Sequence, residues 1–203
     1  MRRPRAVLDV SELPDVCFGP RDIMWWGTVG FMLIEGFTLA LCAVVYVYLQ
    51  QNFAAWPPPG TPRPALGIPT VQVLVMVASL PVAMWTKRSA YAFDLRRVRI
   101  GMTTASLIGA VCVGLRAAEL IVSLNVKWDT NAYGSAQWLM VGSHSTLMLI
   151  ELAETVGIAL LFWLAPVERK HFSDVADAVD YWYFMVCTWI PLFVLSFLVP
   201  RWI

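Results

Sequence analysis

The sequence predicts an all-α integral membrane protein, a bundle of five transmembrane helices. The 203-residue chain is 59% hydrophobic and 14% charged, with a mean hydropathy of +0.64. Soluble domains average about 45–50% apolar and about 25% charged residues. Five apolar stretches are each long enough to cross a bilayer, since a membrane helix needs about 20 such residues. The chain length suits one bundle rather than several domains.

The predicted elements begin with a polar N-terminal tail, residues 1–24, on the cytoplasmic side. This tail has no apolar core of its own, so we do not expect it to be a cleavable signal peptide. The membrane domain is predicted over residues 25–203. Its five helices are expected at about 25–50, 68–86, 100–124, 135–165 and 180–200. A charged loop, VERKHFSDVADAVD, is expected before the fifth helix.

Local signals support these boundaries. Prolines exclude a regular helix over residues 52–67, where Trp56 is predicted to be an interfacial anchor. Pro81 is expected to kink the second helix or end it early. Glycines in the third helix, such as Gly101 and Gly109, allow close helix approach. The fourth helix, roughly 45 Å long, exceeds the hydrocarbon core of about 30 Å and should tilt or extend beyond it.

Positive charges divide unequally between the two predicted sides. With five spans, the N-terminal tail shares one side with the loops that follow the second and fourth helices. That side holds eleven of the fifteen Lys and Arg residues, and the other side holds three. The positive-inside rule therefore places the N-terminus in the cytoplasm and the C-terminus outside, in the periplasm.

Ionisable residues within the predicted spans are the candidate functional residues, because a charge at that depth is costly. Glu35 and His144 both lie near mid-depth, and we expect them to be neighbours. They form either a proton-handling cluster or a hydrogen bond that joins two helices. Arg116 and Glu119 are three residues apart and should pair on one face, near the outer end where an arginine can snorkel.

The fourth helix carries a stripe of three ionisable residues. His144, Glu151 and Glu154 are spaced by seven and then three residues, which predicts a common face. One interpretation is a metal site, but the helix has no ExxH pair and no second helix offers a histidine. The other is a stripe that faces Arg116, a partner subunit or the cytoplasmic interface.

The residue types exclude self-contained redox or hydrolytic chemistry. His144 and His171 are the two histidines, too few to ligate paired haems and copper. The four cysteines lack CxxC or CxxxC spacing, which favours buried free thiols. No glycine-rich phosphate loop or nucleophile elbow occurs, and a formal charge of +1 offers no basic surface for nucleic acid. We therefore expect no catalytic, cofactor-binding or metal residue in this chain.

Six short segments, taken in order, match one family pattern. They are the stretch around Glu35, WPPPGTPRP at 56–64, LRAAEL at 115–120, Tyr133-Gly134-Ser135, Gly142-Ser143-His144, and His171-Phe172 together with Tyr181-Trp182-Tyr183-Phe184 and Trp189. With these segments the chain resembles subunit III of haem–copper terminal oxidases, the cytochrome c oxidase subunit 3 family, in its bacterial five-helix form. Glu35 and Glu119 stand at the positions of the family's acids.

The resemblance implies a non-catalytic subunit of an aerobic respiratory complex in the bacterial inner membrane. Such a subunit would pack against catalytic subunit I and other oxidase subunits, hold phospholipid between its helices, and support assembly and proton uptake. Haem and copper would lie in the partner. The candidate polar, proton-support or lipid-contact residues are Glu35, Arg116, Glu119, His144, Glu151, Glu154 and His171. Among them, His171 would help to shape the cytoplasmic surface near proton entry.

Departures from the family pattern leave two alternatives open. Leu147 and Tyr183 replace histidines, Val186 replaces an acid, and Glu151 and Glu154 stand where small or apolar residues are usual. An accessory subunit of a nitric oxide reductase is the first alternative. The second is a small membrane carrier with a polar solute path, although no internal repeat supports it.

Overall fold

The computed structural model describes residue 14 and residues 16–202. Most of the predicted N-terminal tail, including Arg2, Arg3 and Arg5, lies outside the described residues. Within them, five helical spans are long and apolar enough to cross a membrane, as the sequence predicts. The helices are α1 (Ile23–Gln51), α2 (Gly67–Tyr91), α3 (Leu95–Ala118), α4 (Ala132–Leu164), α5 (His171–Phe193) and the short α6 (Val199–Trp202). Two π-helical segments, Glu119–Ser123 and Val194–Leu198, extend α3 and join α5 to α6.

Polar caps fix where three of the helices begin. Asp22, Asp94 and Asn131 precede α1, α3 and α4, and their side chains accept hydrogen bonds from backbone N–H groups of the first turns at 2.8–3.0 Å. Such caps satisfy donors that have no partner within the helix. The cap at Asp94 explains why α3 begins at Leu95 rather than near the predicted residue 100.

The charged segment expected as a loop before the fifth helix is instead the start of α5. The helix begins at His171, not near residue 180. Phe172, Val175 and Val179 are buried at helical spacing, and the Phe172 ring lies 5.3 Å from the ring of Phe162 on α4. This buried apolar face makes residues 171–180 the first turns of α5, although their charged side chains do not suggest a membrane span.

Pro81 does not end α2, which continues for ten more residues to Tyr91. A proline within a helix leaves one carbonyl without its usual N–H donor. Membrane helices tolerate this because neighbouring helices and small backbone adjustments can satisfy the freed group. The expected early end of the second helix, near residue 86, is therefore wrong.

The bundle has a packed interior and a peripheral first helix. Helix α2 packs against α3 and α5, α3 packs against α4, and α1 contacts α4 and α5. Fully buried methionines and Trp189 fill the space between the helices. Helix α1 exposes many large apolar side chains, such as Phe31, Ile34 and Phe37, which suits contact with lipid or with another subunit.

Trp56 is part of the core at one end of the bundle. It is 4% exposed, and its ring lies 5.4 Å from the ring of Tyr46 and 5.1 Å from that of Tyr133. The connection between α1 and α2 also reaches the segment after α3, since Ala65 N donates to Ser123 O at 2.7 Å. The predicted interfacial anchor is therefore a buried contact between helices.

Two of the glycines in α3 lie where neighbouring helices come close. A Cβ added at Gly101 would overlap the side chain of Thr86 on α2, and one at Gly109 would lie 3.1 Å from Leu152 Cδ1 on α4. Gly114 has no heavy atom within 4 Å of such a position. The expectation of close approach is confirmed at the first two positions.

Candidate functional site

A buried ion pair lies where α3 passes into its π-helical segment. Arg116 Nη1 is 2.7 Å from Glu119 Oε1, and the two side chains are 3% and 0% exposed. The three-residue spacing brings both side chains to one face, so the ion pair predicted from the sequence is confirmed. Buried charges are stable only when they are paired and hydrogen-bonded.

His144 on α4 joins this pair. Its Nδ1 lies 3.4 Å from Arg116 Nη2, and its Nε2 lies 3.0 Å from the backbone oxygen of Met185 on α5. A carbonyl oxygen can only accept, so Nε2 carries the hydrogen and Nδ1 accepts from the guanidinium. The arrangement therefore fits a neutral imidazole that connects α3, α4 and α5.

Trp189 covers the arginine from α5. The guanidinium carbon of Arg116 lies 3.5 Å from the centre of the Trp189 ring, a distance typical of a cation–π contact. We call Arg116, Glu119, His144 and Trp189 the arginine cluster. Because its partners enclose the guanidinium, Arg116 lies inside the bundle as an internal ion pair and does not extend to the membrane surface.

Glu35 belongs to a second polar contact, between α1 and α5. Tyr181 Oη donates to Glu35 Oε2 at 2.5 Å, and both residues are buried. Glu35 and His144 are not hydrogen-bonded to each other, contrary to the expectation that they are neighbours. On the antiparallel helices α1 and α4, Cys42 Sγ lies 3.8 Å from Ser143 Oγ, and Glu35 is seven residues, about 10 Å, further along α1.

The stripe predicted on α4 divides between the interior and the surface. His144 and Glu151 are buried, with Glu151 2% exposed, whereas Glu154 is exposed. At 3.6 residues per turn, the three-residue step from Glu151 to Glu154 falls about 60° short of a full turn. Glu154 therefore lies to one side of the face that His144 and Glu151 share. Among the described residues, no group of three or more His, Cys, Asp or Glu side chains is placed to hold a metal ion.

His171 lies at the opposite end of the bundle from Trp56. It is the first residue of α5, and its Nδ1 accepts a hydrogen bond from the backbone N–H of Glu168 at 3.0 Å. Lys170 Nζ lies 2.8 Å from Glu168 Oε2, and this hydrogen bond holds the pKa of Glu168 below its ordinary value. An ion pair between Lys87 and Asp180 joins α2 to α5 near the same end.

The sequence does not single out Tyr181 and Trp189 as the partners of Glu35 and Arg116. The sequence feature that predicts their burial is their spacing on α5. Large side chains recur there every four residues, at Tyr181, Met185 and Trp189. This repeat is typical of one helix face. It indicates that the residues are buried, but not which charged group each would meet.

The fold and these contacts define the class: a multi-pass α-helical membrane protein in which buried ionisable side chains join neighbouring helices.

No protein-family model matches the chain. Comparison with curated proteins finds relatives named cytochrome c oxidase subunit 3. The relative from Thermostichus vulcanus is 26% identical over 185 residues, which cover 89% of each chain.

Two further relatives carry the same name. The protein from Synechocystis sp. is 25% identical over 187 residues, covering 89% of this chain and 77% of its own length. The one from Polypterus ornatipinnis is 26% identical over 140 residues, covering 68% of this chain and 53% of its own length. By these similarities the chain is related to proteins named cytochrome c oxidase subunit 3.

Proposed function

We propose that this chain is the non-catalytic subunit III-like component of a haem–copper terminal oxidase in an aerobic respiratory chain. The observation that carries this proposal is the similarity to the Thermostichus vulcanus protein along 89% of both chains. The part of the chain outside this alignment is shorter than any of the five helical spans, so the similarity reaches into every span rather than resting on one motif. The buried positions of Glu35 and Glu119 agree with their place in the family pattern.

Its role in the complex is support for assembly, with catalytic subunit I and other oxidase subunits as partners. Helix α1 offers the surface for this, because Ile34, Phe37, Leu41 and Tyr48 are exposed at spacings of three, four and seven residues. Such spacing makes a continuous apolar face on a helix. Phospholipid is held between the helices of the chain, as the resemblance to the family implies.

The proposed support for proton uptake belongs to the cytoplasmic side of a bacterial inner membrane. The end of the bundle that holds His171 also carries Lys87, Asp180, Glu168 and Lys170 as two ion pairs. Charged and hydrated groups there can hold water at the entrance of a proton path. Haem, copper and the path of the electrons lie in the partner subunit.

The test is purification of the tagged chain from its native membranes in a mild detergent. We expect it to bring with it a subunit that contains haem and copper, and an activity that reduces oxygen. An unrelated five-helix membrane protein with the same tag is the control. Co-purification of a copper-free complex that reduces nitric oxide would replace the proposal with the reductase alternative, and solute transport by the chain alone in liposomes would favour a carrier.

A further inference from the structure

A small cavity lies between α2, α3, α4 and α5, and none of its lining residues belongs to either polar contact described above. Small side chains leave the space, with Ala83 on α2, Ala105 and Gly109 on α3, and Ala178 on α5 among the lining residues. The cavity volume is ≈ 30 Å³, and about 10–15 Å³ suffices for one water molecule. One or two waters therefore fit in it.

Glu151 lines this cavity from α4. One of its oxygens, Oε1, accepts a hydrogen bond from Thr155 Oγ1 at 3.0 Å. The other, Oε2, is buried and has no hydrogen-bond partner. A buried polar atom without a partner is costly, so this oxygen indicates that something polar occupies the cavity beside it.

The surroundings of Glu151 do not suit a negative charge. Within the described part of the chain, the carboxyl groups that act on it are Glu154 on its own helix and Glu35 on α1, both of which would repel a charge. It takes part in none of the ion pairs found among these residues. A buried carboxyl group without a cation avoids the cost of its charge by taking up a proton.

The cavity also offers partners for water. Ser79 and Thr86 on α2 line it. Ser79 Oγ donates to Met76 O and accepts from Trp182 Nε1, and Thr86 Oγ1 donates to Val82 O. Each hydroxyl oxygen keeps an unused acceptor site. The two hydroxyls are seven residues apart, about 10 Å along α2, so each can serve a different water. A water that meets one of them and the Glu151 carboxyl group has at least two of the polar partners that a buried water needs.

We propose that Glu151 is an internal, protonated carboxyl group that binds one or two water molecules in this cavity. The site is a hydrated proton-binding position inside the four helices α2–α5. Its lining contains no residue of the Glu35–Tyr181 contact or of the arginine cluster. It depends only on this chain, so it stands or falls independently of which enzyme complex the chain serves.

Infrared spectroscopy of the purified protein, as the full chain or in its complex, tests the protonation. We expect Glu151→Gln to remove one component of the carbonyl-stretch absorption of protonated carboxyl groups, a component that shifts in D2O. Glu154→Gln is the matched control, one turn away on the exposed side of α4, and should leave that component in place. If Glu151→Gln leaves the absorption unchanged, Glu151 is ionised and the proposal is overturned.

A second measurement tests the water without any substitution. A high-resolution structure of the complex should show density for one or two waters within hydrogen-bond distance of Glu151 Oε2. A dry cavity would overturn the water-binding part, whatever the spectrum shows. Because this experiment uses the unaltered chain, it decides the question even if a Glu151 variant fails to fold.

Discussion

Arg116 is the most deeply buried cation in the described part of the chain. Its three partners lie on three different helical segments. Glu119 neutralises it at 2.7 Å, Trp189 covers it at 3.5 Å, and His144 accepts from it at 3.4 Å. Removing two charges from water costs more than a single contact returns. The arginine is therefore stable only with the whole cluster in place.

The first prediction concerns this ion pair. Glu119→Gln leaves Arg116 as an unpaired buried charge, and we expect the free energy of unfolding to fall by about 3–5 kcal/mol. The double variant Arg116→Gln, Glu119→Gln removes both charges and should lose less than the single variant. Thermal unfolding of the purified proteins in detergent measures the difference. A single variant as stable as the wild type would show that Glu119 does not neutralise the arginine.

The second prediction concerns Glu35, whose hydrogen bond to Tyr181 ties α1 to α5. We expect Glu35→Ala to leave the haem content of the complex intact while it weakens assembly or sustained turnover. The reason is that the lost group holds two helices together, whereas haem and copper are proposed to lie in the partner subunit. Haem absorption spectra and activity of the purified complex measure the two effects, and loss of the haem spectrum would count against a purely supporting role.

Two tyrosine substitutions, one at the contact and one beside it, test this hydrogen bond. Tyr181→Phe removes only the hydroxyl that donates to Glu35 and should reduce stability by about 1–3 kcal/mol, the range for a buried group left unsatisfied. Tyr183→Phe makes the same chemical change two residues away, at a side chain that is not hydrogen-bonded to Glu35. Equal effects of the two changes would contradict a specific role for the Tyr181–Glu35 bond.

At the scale of the elements, the contact between α2 and α3 depends on a glycine. Gly101 faces Thr86, which is fully buried, and a Cβ at this position would overlap the threonine side chain. In membranes the helices gain little from the hydrophobic effect against each other, so close packing of small residues matters more. The position of α2 on α3 therefore follows from the absence of one side chain.

The third prediction tests this packing with two alanine substitutions in one helix. Gly101→Ala should lower the free energy of unfolding by about 1–3 kcal/mol, because it overpacks the contact. Gly114→Ala meets no atom and should raise it by about 0.5–1 kcal/mol, because alanine favours the helix more than glycine does. Unfolding of both variants in detergent measures the contrast, and adding Thr86→Ala to Gly101→Ala should restore part of the loss.

At the scale of the whole molecule, the loops that connect the helices contact one another at each end of the bundle. The segment before α2 bonds to the segment after α3, through Asn131 Nδ2 and Thr61 Oγ1 at 2.8 Å and through Asn125 Nδ2 and Arg63 O at 3.1 Å. At the other end, the Phe93 ring contacts Phe18 and Phe172. The two ends differ in charge as well, because most of the Lys and Arg residues that the structure describes lie on the side of Phe93.

The fourth prediction gives the orientation of these ends. In a Cys17→Ser background, Thr130→Cys should react with a membrane-impermeant thiol reagent in intact spheroplasts. Arg169→Cys should react only after the membrane is opened, since the positive-inside rule places it in the cytoplasm. Both positions are exposed. The Cys17→Ser protein without either introduced cysteine is the control. The opposite labelling pattern would reverse the predicted orientation.

The sequence by itself determined the five spans and the pairing of Arg116 with Glu119. Long apolar runs in a membrane must form helices, because lipid offers no partner for free backbone groups, and a three-residue spacing within one helix fixes which side chains meet. These are local properties of the chain. The sequence did not predict the early start of α5, because charged residues lie between the buried apolar residues of its first turns.

Only the tertiary structure decided which distant residues meet. Glu35 binds Tyr181 rather than His144, Trp56 is buried rather than interfacial, and Glu151 faces a cavity while Glu154 faces outward. Each of these outcomes depends on how far one helix slides and turns against another. The packing of many small and large side chains together sets that register, so the spacing of residues along a single helix does not contain it.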